Sequence, residues 1–274
     1  MAIEKLEDLI HTDLQSVSLE EITLLVAKEK YRELNTQNYL ARIEEFAQRA
    51  RPYIHNVQGG RQAIQAFNHY FFEVEGFCGN RADYYNPSNC YLNDVLDHRS
   101  GIPITLSIVY MAIGRRLGLP LSGVNFPGHF LVRYDFKSEA FFVDVFDKGT
   151  ILTTGDCREK LQRAYGSELI FQEEFLDPAS HRQVLLRILA NLKIMYILKK
   201  DFNQVLPILN RLLLFEPKSS QSLKERGMLY AQLECFRPAL NDFVNYLSRD
   251  PQAFDRPLIE ECIQELREKV NLIQ

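Results

Sequence analysis

The chain lacks three patterns, each of which would place it in a large class of proteins. No block of like charges occurs in its 274 residues, and its net charge of −4 is small, so the basic surface of a nucleic-acid-binding protein is not expected. No stretch reaches the roughly 18 apolar residues of a membrane span. Acidic residues occupy the N-terminal segment, where a secretory signal would be basic. We expect a cytoplasmic protein that inserts into no membrane and binds no nucleic acid.

Cysteine is also sparse in this sequence. Its five residues are odd in number and widely spaced, with no Cys-x-x-Cys pair, which argues against a disulfide framework and a thiolate zinc site. The chain also has no phosphate-binding glycine loop, no dinucleotide fingerprint and no spaced set of metal ligands. We therefore expect free thiols and no metal or cofactor. The cysteines are Cys78, Cys90, Cys157, Cys235 and Cys262.

Apolar residues are plentiful, at 46% of the chain, which is enough for a large core. Residues 1–75 are predicted to form helices that pack on the rest of the protein. Ser18 begins a capping box, and Asn35 or Thr36 can cap a second helix. A third helix follows the Gly59-Gly60 pair.

Residues 79–91 differ from their neighbours because they are rich in turn formers and in aromatic residues that carry a hydroxyl. We predict a long, ordered loop, and such loops are usually functional inside compact domains. The alternative is an Ω-loop that is packed by its own tyrosines and has no further role. The candidate binding residues in and just after it are Asn80, Arg81, Tyr84, Tyr85, Tyr91 and Asn93.

A helix with clear boundaries follows this loop. Pro103 suits its first turn, because the missing N–H of proline would have no acceptor within the helix. Gly118 followed by Pro120 marks its end. Nearly every position between is apolar, so we expect a central, buried helix. A central helix that leads into antiparallel strands defines an α+β domain.

Two β-rich runs, residues 129–134 and 140–145, predict a hairpin after this helix. A four-residue loop at 135–138 would place His129 directly opposite Asp144. The Cβ atoms of directly opposed residues lie about 5 Å apart. The Asp144 carboxylate could therefore accept a hydrogen bond from the imidazole N–H and fix the tautomer of the ring. Two interpretations stay open: two thirds of a catalytic triad, or a cross-strand hydrogen bond with no chemistry.

The segment resembles the transglutaminase-like core, which is a papain-like α+β fold. The resemblance rests on Gly101-Ile102-Pro103, on the helix end Arg115-Arg116-Leu117-Gly118-Leu119-Pro120, on Gly128-His129 and on Val143-Asp144. It implies that His129 is the base and Asp144 the acid that orients it. With its helical tail, the whole chain is similar to the bacterial SirB-type proteins, which join such a domain to tetratricopeptide repeats.

The match fails at the nucleophile. The family's cysteine position falls on Pro103, or on Ile104 if the helix is shifted by one residue, and neither side chain can attack a carbonyl. We therefore expect a binding or regulatory module that is not an enzyme and that acts through a His–Asp cleft and a repeat surface. The alternative is a cysteine-dependent hydrolase or acyltransferase that uses Cys78 or Cys90 with the His–Asp pair.

The C-terminal third repeats with the tetratricopeptide period of 34 residues. We expect an all-α tail of such repeats with a capping helix at 181–274, after a core at 76–176. The repeats either bind a protein or peptide partner or only buttress the core, and the sequence names neither a partner nor an oligomeric state. The repeated positions include the pairs Tyr196 and Tyr230, Phe202 and Phe236, and Pro217 and Pro251.

Overall fold

The computed structural model describes residues 4–55, 57, 60–137 and 139–272, without the side chain of 272. Two parts of the predictions therefore lie outside the described residues: Gly59 of the predicted glycine break and position 138 of the predicted hairpin loop. The first three residues lie outside them as well. The chain divides into two compact units, Met1–Ile188 and Leu189–Gln274. In the ranges described, no helix is both long enough and apolar enough to cross a membrane.

The first unit is an α+β domain in which helices precede and surround two small sheets. Its helices are α1 (Leu19–Lys30), α2 (Thr36–Ile54), α3 (Arg61–Asn68), α4 (Leu92–His98), α5 (Pro103–Arg116) and α6 (Thr154–Tyr165), and α7 (His181–Leu198) begins in it. Its strands are β1 (Cys78–Gly79), β2 (Ser100–Gly101), β3 (Leu121–Val124), β4 (Leu131–Phe136), β5 (Glu139–Asp144) and β6 (Thr150–Leu152).

The N-terminal helices begin where local capping signals predict. The Ser18 hydroxyl accepts from the backbone N–H of Glu21 at 3.4 Å, and the Glu21 carboxylate accepts from the N–H of Ser18 at 3.1 Å, which completes a capping box before α1. The side chain of Asn35 caps α2. Gly60 precedes α3 with a φ of +67°, a left-handed conformation that glycine adopts without strain.

Helix α5 forms the centre of the first unit, as its sequence predicts. Pro103 is its first residue, every residue from Pro103 to Gly114 is buried, and Gly118 follows its end with a φ of +78°. Helices α1, α2 and α4 pack against it. Glu20 of α1 is 2% exposed and accepts hydrogen bonds from Arg115 at 2.5 Å and Arg116 at 2.8 Å, so a buried charge joins α1 to the end of α5.

Two sheets accompany this helix. Strands β3, β4, β5 and β6 form one antiparallel sheet in that order, and β1 pairs with β2 in parallel, with Cys78 opposite Ser100. Helix α5 packs against the sheets and against the turn Val145–Asp147 that follows β5. The carboxyl end of β5 is thereby held next to the central helix.

The predicted hairpin register is wrong by two residues. The structure pairs Phe136 with Glu139 and Val132 with Val143, so two residues connect the strands instead of four, and His129 precedes β4 instead of lying on it. Lys137 adopts a φ of +55°, which permits the tight turn. A shift of two keeps each side chain on its predicted face, because side chains alternate along a strand with a period of two.

The second unit consists of helices with the spacing of tetratricopeptide repeats. α8 and α10 begin at Phe202 and Phe236, which are 34 residues apart in the sequence. A Cβ atom at Gly227 would lie 2.9 Å from the ring of Phe243, so a small residue is needed where α9 and α10 meet. The helices are α8 (Phe202–Phe215), α9 (Ser220–Gln232), α10 (Phe236–Arg249) and α11 (Arg256–Leu272).

Candidate functional site

A hydrogen bond joins His129 and Asp144. His129 lies in the turn before β4, where its backbone N–H donates to the carbonyl of Phe126 at 3.0 Å. Asp144 is the last residue of β5. The Nε2 atom of His129 lies 2.8 Å from Oδ1 of Asp144, so the carboxylate orients the imidazole ring.

Asp144 is an ionised carboxylate in a buried position. Its side chain is 2% exposed, and its Oδ2 accepts from Nζ of Lys160 at 2.9 Å. Its Oδ1 also accepts from the backbone N–H of Asp147 at 3.1 Å. Burial favours the neutral acid, but the hydrogen bonds and charges of His129 and Lys160 outweigh burial and lower the pKa of Asp144 to about 2.

This ionised partner determines the tautomer of His129. A carboxylate can only accept, so Nε2 of the imidazole carries the proton and Nδ1 holds the lone pair of the neutral ring. In the described part of the chain Nδ1 has no hydrogen-bond partner. The side chain is 17% exposed, and its ring centroid lies 6.4 Å from that of Phe146. His129 can therefore accept a proton or a hydrogen bond from a bound molecule.

The position expected for a nucleophile holds a proline. Pro103 is buried at the first position of α5. Thr105 and Ser107 are the nearest hydroxyl-bearing residues on this helix, and both are fully buried. The Thr105 hydroxyl donates to the carbonyl of Asn89 at 2.6 Å, whereas the Ser107 hydroxyl has no partner among the described residues. A substrate cannot reach either hydroxyl.

The two cysteines considered as substitutes lie in different surroundings. Cys90 is fully buried, and burial raises the pKa of its thiol well above the ordinary range. Cys78 is exposed on β1, with its Sγ 3.9 Å from the hydroxyl of Ser100. It lines a cavity of about 430 Å³ whose described lining residues include neither His129 nor Asp144.

Part of the predicted binding loop lies beside the His–Asp pair. The ring of Tyr84 meets the ring of Phe146 edge to face at 5.7 Å, and Tyr85 packs against Tyr84 at 5.2 Å. Arg81 stacks over Phe146 at 4.9 Å and pairs with Asp147 at 2.9 Å. Phe146 therefore connects these loop residues with His129.

The other predicted binding residues are internal to the loop and its flanks. The Asn80 side chain donates to that of Asn89 at 3.0 Å, which holds the loop together. Tyr91 is 5% exposed and packs against Tyr31 of α1 at 5.5 Å. Asn93 is also buried and donates to Asp94 at 2.8 Å. The loop ends in a short 3₁₀ helix at Pro87–Cys90.

Two residues complete the surroundings of the pair and were not predicted from the sequence. Lys160 reaches Asp144 from α6, 16 residues further along the chain. Phe146 lies in the turn directly after β5. An aromatic residue two positions after Asp144 was a visible signal for Phe146, but a lysine on an exposed helix has no pattern that distinguishes it.

The His–Asp pair is not part of a metal centre among the described residues. Every group that contacts Asp144 there is a nitrogen donor. In the same ranges, no group of three His, Cys, Asp or Glu side chains is arranged to hold a metal ion. The pair can thus transfer or share a proton and can bind polar groups through the open nitrogen of His129.

The fold and this site define a transglutaminase-like domain joined to helical repeats. Residues 37–190 match the transglutaminase-like superfamily, and residues 192–264 match the tetratricopeptide repeat. The chain is 32% identical to the UPF0162 protein of Xylella fastidiosa strain Temecula1 over 262 residues. This aligned stretch covers 94% of this chain and 93% of that protein. The chain belongs to the transglutaminase-like superfamily and, within it, to the UPF0162, or SirB-like, family.

Two further relatives show how far the similarity extends. The UPF0162 protein of Vibrio cholerae is 28% identical over 194 residues, which is 69% of this chain and 72% of that protein. Human F-box only protein 21 is 43% identical over 104 residues, which is 35% of this chain and 17% of that protein. No solved structure matches the chain.

Proposed function

We propose that this protein is a non-catalytic transglutaminase-like module that binds or regulates another protein in the cytoplasm. The observation that carries the proposal is Pro103 at the first position of α5, where the family pattern has its cysteine. Proline has no nucleophilic atom, so an acyl-enzyme intermediate cannot form at this position.

The proposed binding cleft lies next to His129 and Asp144. The open Nδ1 of His129 offers one acceptor, and the loop residues Arg81, Tyr84 and Tyr85 offer a cation, hydroxyls and aromatic surface. Tyr85 is 56% exposed, so a partner can reach it. Aromatic residues and arginine are enriched in protein interfaces because they combine apolar area with polar groups. Asn80, Tyr91 and Asn93 would support the loop from inside.

The repeats supply the second proposed surface. Tetratricopeptide repeats stack into extended surfaces that such proteins use for binding. Exposed apolar residues in the second unit suit this role. For the boundaries of these parts we propose helices at 1–75, the core at 76–176 and the repeats at 181–274. The exposed apolar residues in the second unit are Ile194, Ile197, Leu198, Met228, Leu233, Val244, Phe254 and Leu258.

The similarity to human F-box only protein 21 supports the description as a module. The shared stretch is 104 residues long and makes up 17% of that protein, so a similar stretch occurs within a much longer chain. A stretch shared by chains of such different length is what a self-contained module predicts.

The second candidate function is a cysteine-dependent hydrolase or acyltransferase. The observation that favours it is the pair itself: a buried, ionised Asp144 that orients a histidine with an open Nδ1 is the arrangement a general base requires. Its nucleophile would be Cys78 or Cys90. Burial and the raised thiol pKa of Cys90 weigh against that residue, because the thiolate is the reactive form.

A paired assay separates the two candidates. Incorporation of a fluorescent amine into a glutamine peptide, and hydrolysis of that peptide, are measured with the wild type, His129→Ala, Cys78→Ser and Cys90→Ser. We expect no turnover above the background of His129→Ala. Turnover that disappears in His129→Ala and in either cysteine variant would establish the hydrolase or acyltransferase instead.

Alkylation of the native protein tests the thiols directly. With iodoacetamide we expect Cys90 to stay unmodified, and Cys78 to react at the rate of Cys235, an exposed cysteine of the second unit that serves as the internal control. Reaction of Cys78 or Cys90 much faster than Cys235 at neutral pH, slowed by His129→Ala, contradicts the non-catalytic proposal.

A further inference from the structure

Arg187, near the start of α7, is a half-buried cation without an acidic partner. Its Nη1 donates to the backbone carbonyl of Phe126 at 3.0 Å, and its guanidinium lies 5.9 Å from the centre of the Phe130 ring. Within the described part of the chain no carboxylate forms an ion pair with it. Burial lowers the pKa of Arg187. The guanidinium is thus partly desolvated, and no counter-ion among the described residues compensates for the lost hydration.

Many other arginines of the first unit have an acidic partner, unlike Arg187. Several of them form an ion pair with a carboxylate. Arginine remains charged at any physiological pH. An unpaired buried charge is costly, so Arg187 needs an explanation. The arginines that have acidic partners are Arg42, Arg49, Arg81, Arg99, Arg115, Arg116, Arg133, Arg158 and Arg163.

Two tyrosines lie within electrostatic range of the guanidinium. Tyr84, from the loop, and Tyr165, from the end of α6, both interact electrostatically with Arg187. Neither hydroxyl has a hydrogen-bond partner among the described residues. Burial raises the pKa of Tyr84, so this hydroxyl stays protonated and can donate. The surroundings of the cation therefore include two potential hydrogen-bond donors.

This group lies next to His129. The Phe126 carbonyl that accepts from Arg187 also accepts from the backbone N–H of His129 at 3.0 Å. Tyr165 packs on the same turn, since a Cβ atom at Gly128 would lie 2.4 Å from its hydroxyl oxygen. Gly128 has a φ of +67°, so a side chain there would be strained as well as blocked. The turn that carries His129 thus also contacts the Arg187 guanidinium and the Tyr165 hydroxyl.

We propose that Arg187, Tyr84 and Tyr165 bind a carboxylate of a peptide ligand and hold it beside His129. The guanidinium supplies the counter-charge and its free N–H groups, and the two hydroxyls donate to the oxygens. An acidic side chain or a C-terminal carboxylate carries the required group. The inference rests on the proposed binding function and adds the chemistry of the ligand.

The test uses acetate as the probe and acetamide as its neutral control. NMR signals of the Arg187 Nε–H group and the His129 ring are followed in the full-length protein while acetate replaces chloride at constant ionic strength. We expect saturable shifts at both residues with acetate and none with acetamide. A linear shift equal to that of the exposed Arg158 overturns the proposal, because it indicates a general salt effect.

Variants assign the effect to individual groups. Arg187→Gln should abolish the saturable shift of His129, and Tyr165→Phe should weaken acetate binding about 3- to 10-fold, the effect of one lost hydrogen bond. Arg158→Gln is the matched control and should change nothing. Binding that survives unchanged in Arg187→Gln overturns the assignment.

If a variant folds poorly, the change in its Tm on adding acetate still reports whether it binds acetate. Acetate should raise the Tm of the wild type and leave that of Arg187→Gln unchanged, because a ligand stabilises only the state that binds it. If Arg187 only supports the Phe126 carbonyl, the variant loses stability and acetate has no effect on the wild type. Inorganic phosphate is a third arm, and tighter binding of phosphate than of acetate contradicts the carboxylate assignment.

The outcomes separate this inference from the proposed function. Saturable acetate binding together with His129-dependent acyl transfer would refute the non-catalytic proposal and leave the carboxylate site in place. Absence of acetate binding, with no turnover, would refute only the carboxylate site.

Discussion

At the scale of single residues, the site is organised around one buried carboxylate. Asp144 is 2% exposed and is held by His129, Lys160 and a backbone N–H. A buried carboxylate with several hydrogen-bond donors stays ionised. Removing one of these donors destabilises the folded protein. The position and tautomer of the His129 ring therefore depend on the charge of Asp144.

Asp144→Asn tests this dependence. The folded-state pKa of about 2 lies below the ordinary 3.8, so the ionised carboxylate stabilises the fold above pH 4, and this contribution is lost as the pH falls through the folded pKa. We expect the variant to be less stable by about 2 kcal/mol at neutral pH. The difference should shrink as the pH falls from about 4 to about 2.

Urea unfolding followed by circular dichroism over this pH range measures the difference. Asp147→Asn is the control, since Asp147 is 58% exposed and pairs with an exposed arginine. Its effect should stay within about 0.5 kcal/mol at every pH. A constant deficit for Asp144→Asn at all pH values would mean that the charge of Asp144 does not stabilise the fold.

At the scale of secondary-structure elements, close packing of β1 on the turn after β5 positions Phe146. A Cβ atom at Gly79 would lie 2.6 Å from the Phe146 ring and 2.9 Å from its carbonyl oxygen. Phe146 also contacts His129 and the loop residues Arg81 and Tyr84. The close packing of β1 therefore fixes the position of an aromatic ring that lines the proposed cleft.

Gly79→Ala should therefore disturb both stability and the cleft. We expect a loss of about 1–3 kcal/mol from overpacking, together with altered NMR signals of the His129 ring. Gly155→Ala in α6 is the matched control, since its Cβ atom would meet only the Thr153 hydroxyl, at 3.5 Å. That variant should be neutral or up to about 1 kcal/mol more stable. Equal effects of the two substitutions would argue against a packing role for Gly79.

The elements also show what the sequence alone can and cannot predict. The starts of α1 and α5 were predicted because Ser18 and Pro103 act on their own first turns. The hairpin register was not, because it depends on a left-handed Lys137 that no local pattern indicates. The His–Asp pair was expected from a register that is wrong by two residues, and the hydrogen bond forms from the turn before β4 instead. Lys160 reaches the site from a separate helix and has no signal in a single sequence.

At the scale of the whole molecule, the site belongs to the first unit alone. Each described hydrogen bond to the side chains of His129 and Asp144 comes from a residue between 129 and 160. Changes within the second unit should therefore leave these bonds intact.

Gly227→Ala tests this expectation. The added Cβ atom would lie 2.9 Å from the ring of Phe243, and we expect a loss of about 1–2 kcal/mol after the gain in helix propensity. Hydrogen exchange followed by mass spectrometry should show faster exchange in α9 and α10 and no change in β4 and β5. Gln232→Ala, an exposed change at the end of α9, serves as the control. Faster exchange in β4 and β5 would mean that the repeats stabilise the site.

The ion pair between α1 and α5 has a consequence for the order of events during synthesis. Glu20 is buried against Arg115 and Arg116, which are 95 and 96 residues further along the chain. At a ribosomal rate of about 5–20 residues per second, the partners of Glu20 are made roughly 5–20 s after it. For that interval α1 cannot bury its charge in the native way. Helix α1 is therefore made well before the central helix α5, and it can complete its native packing only after α5 has been synthesised.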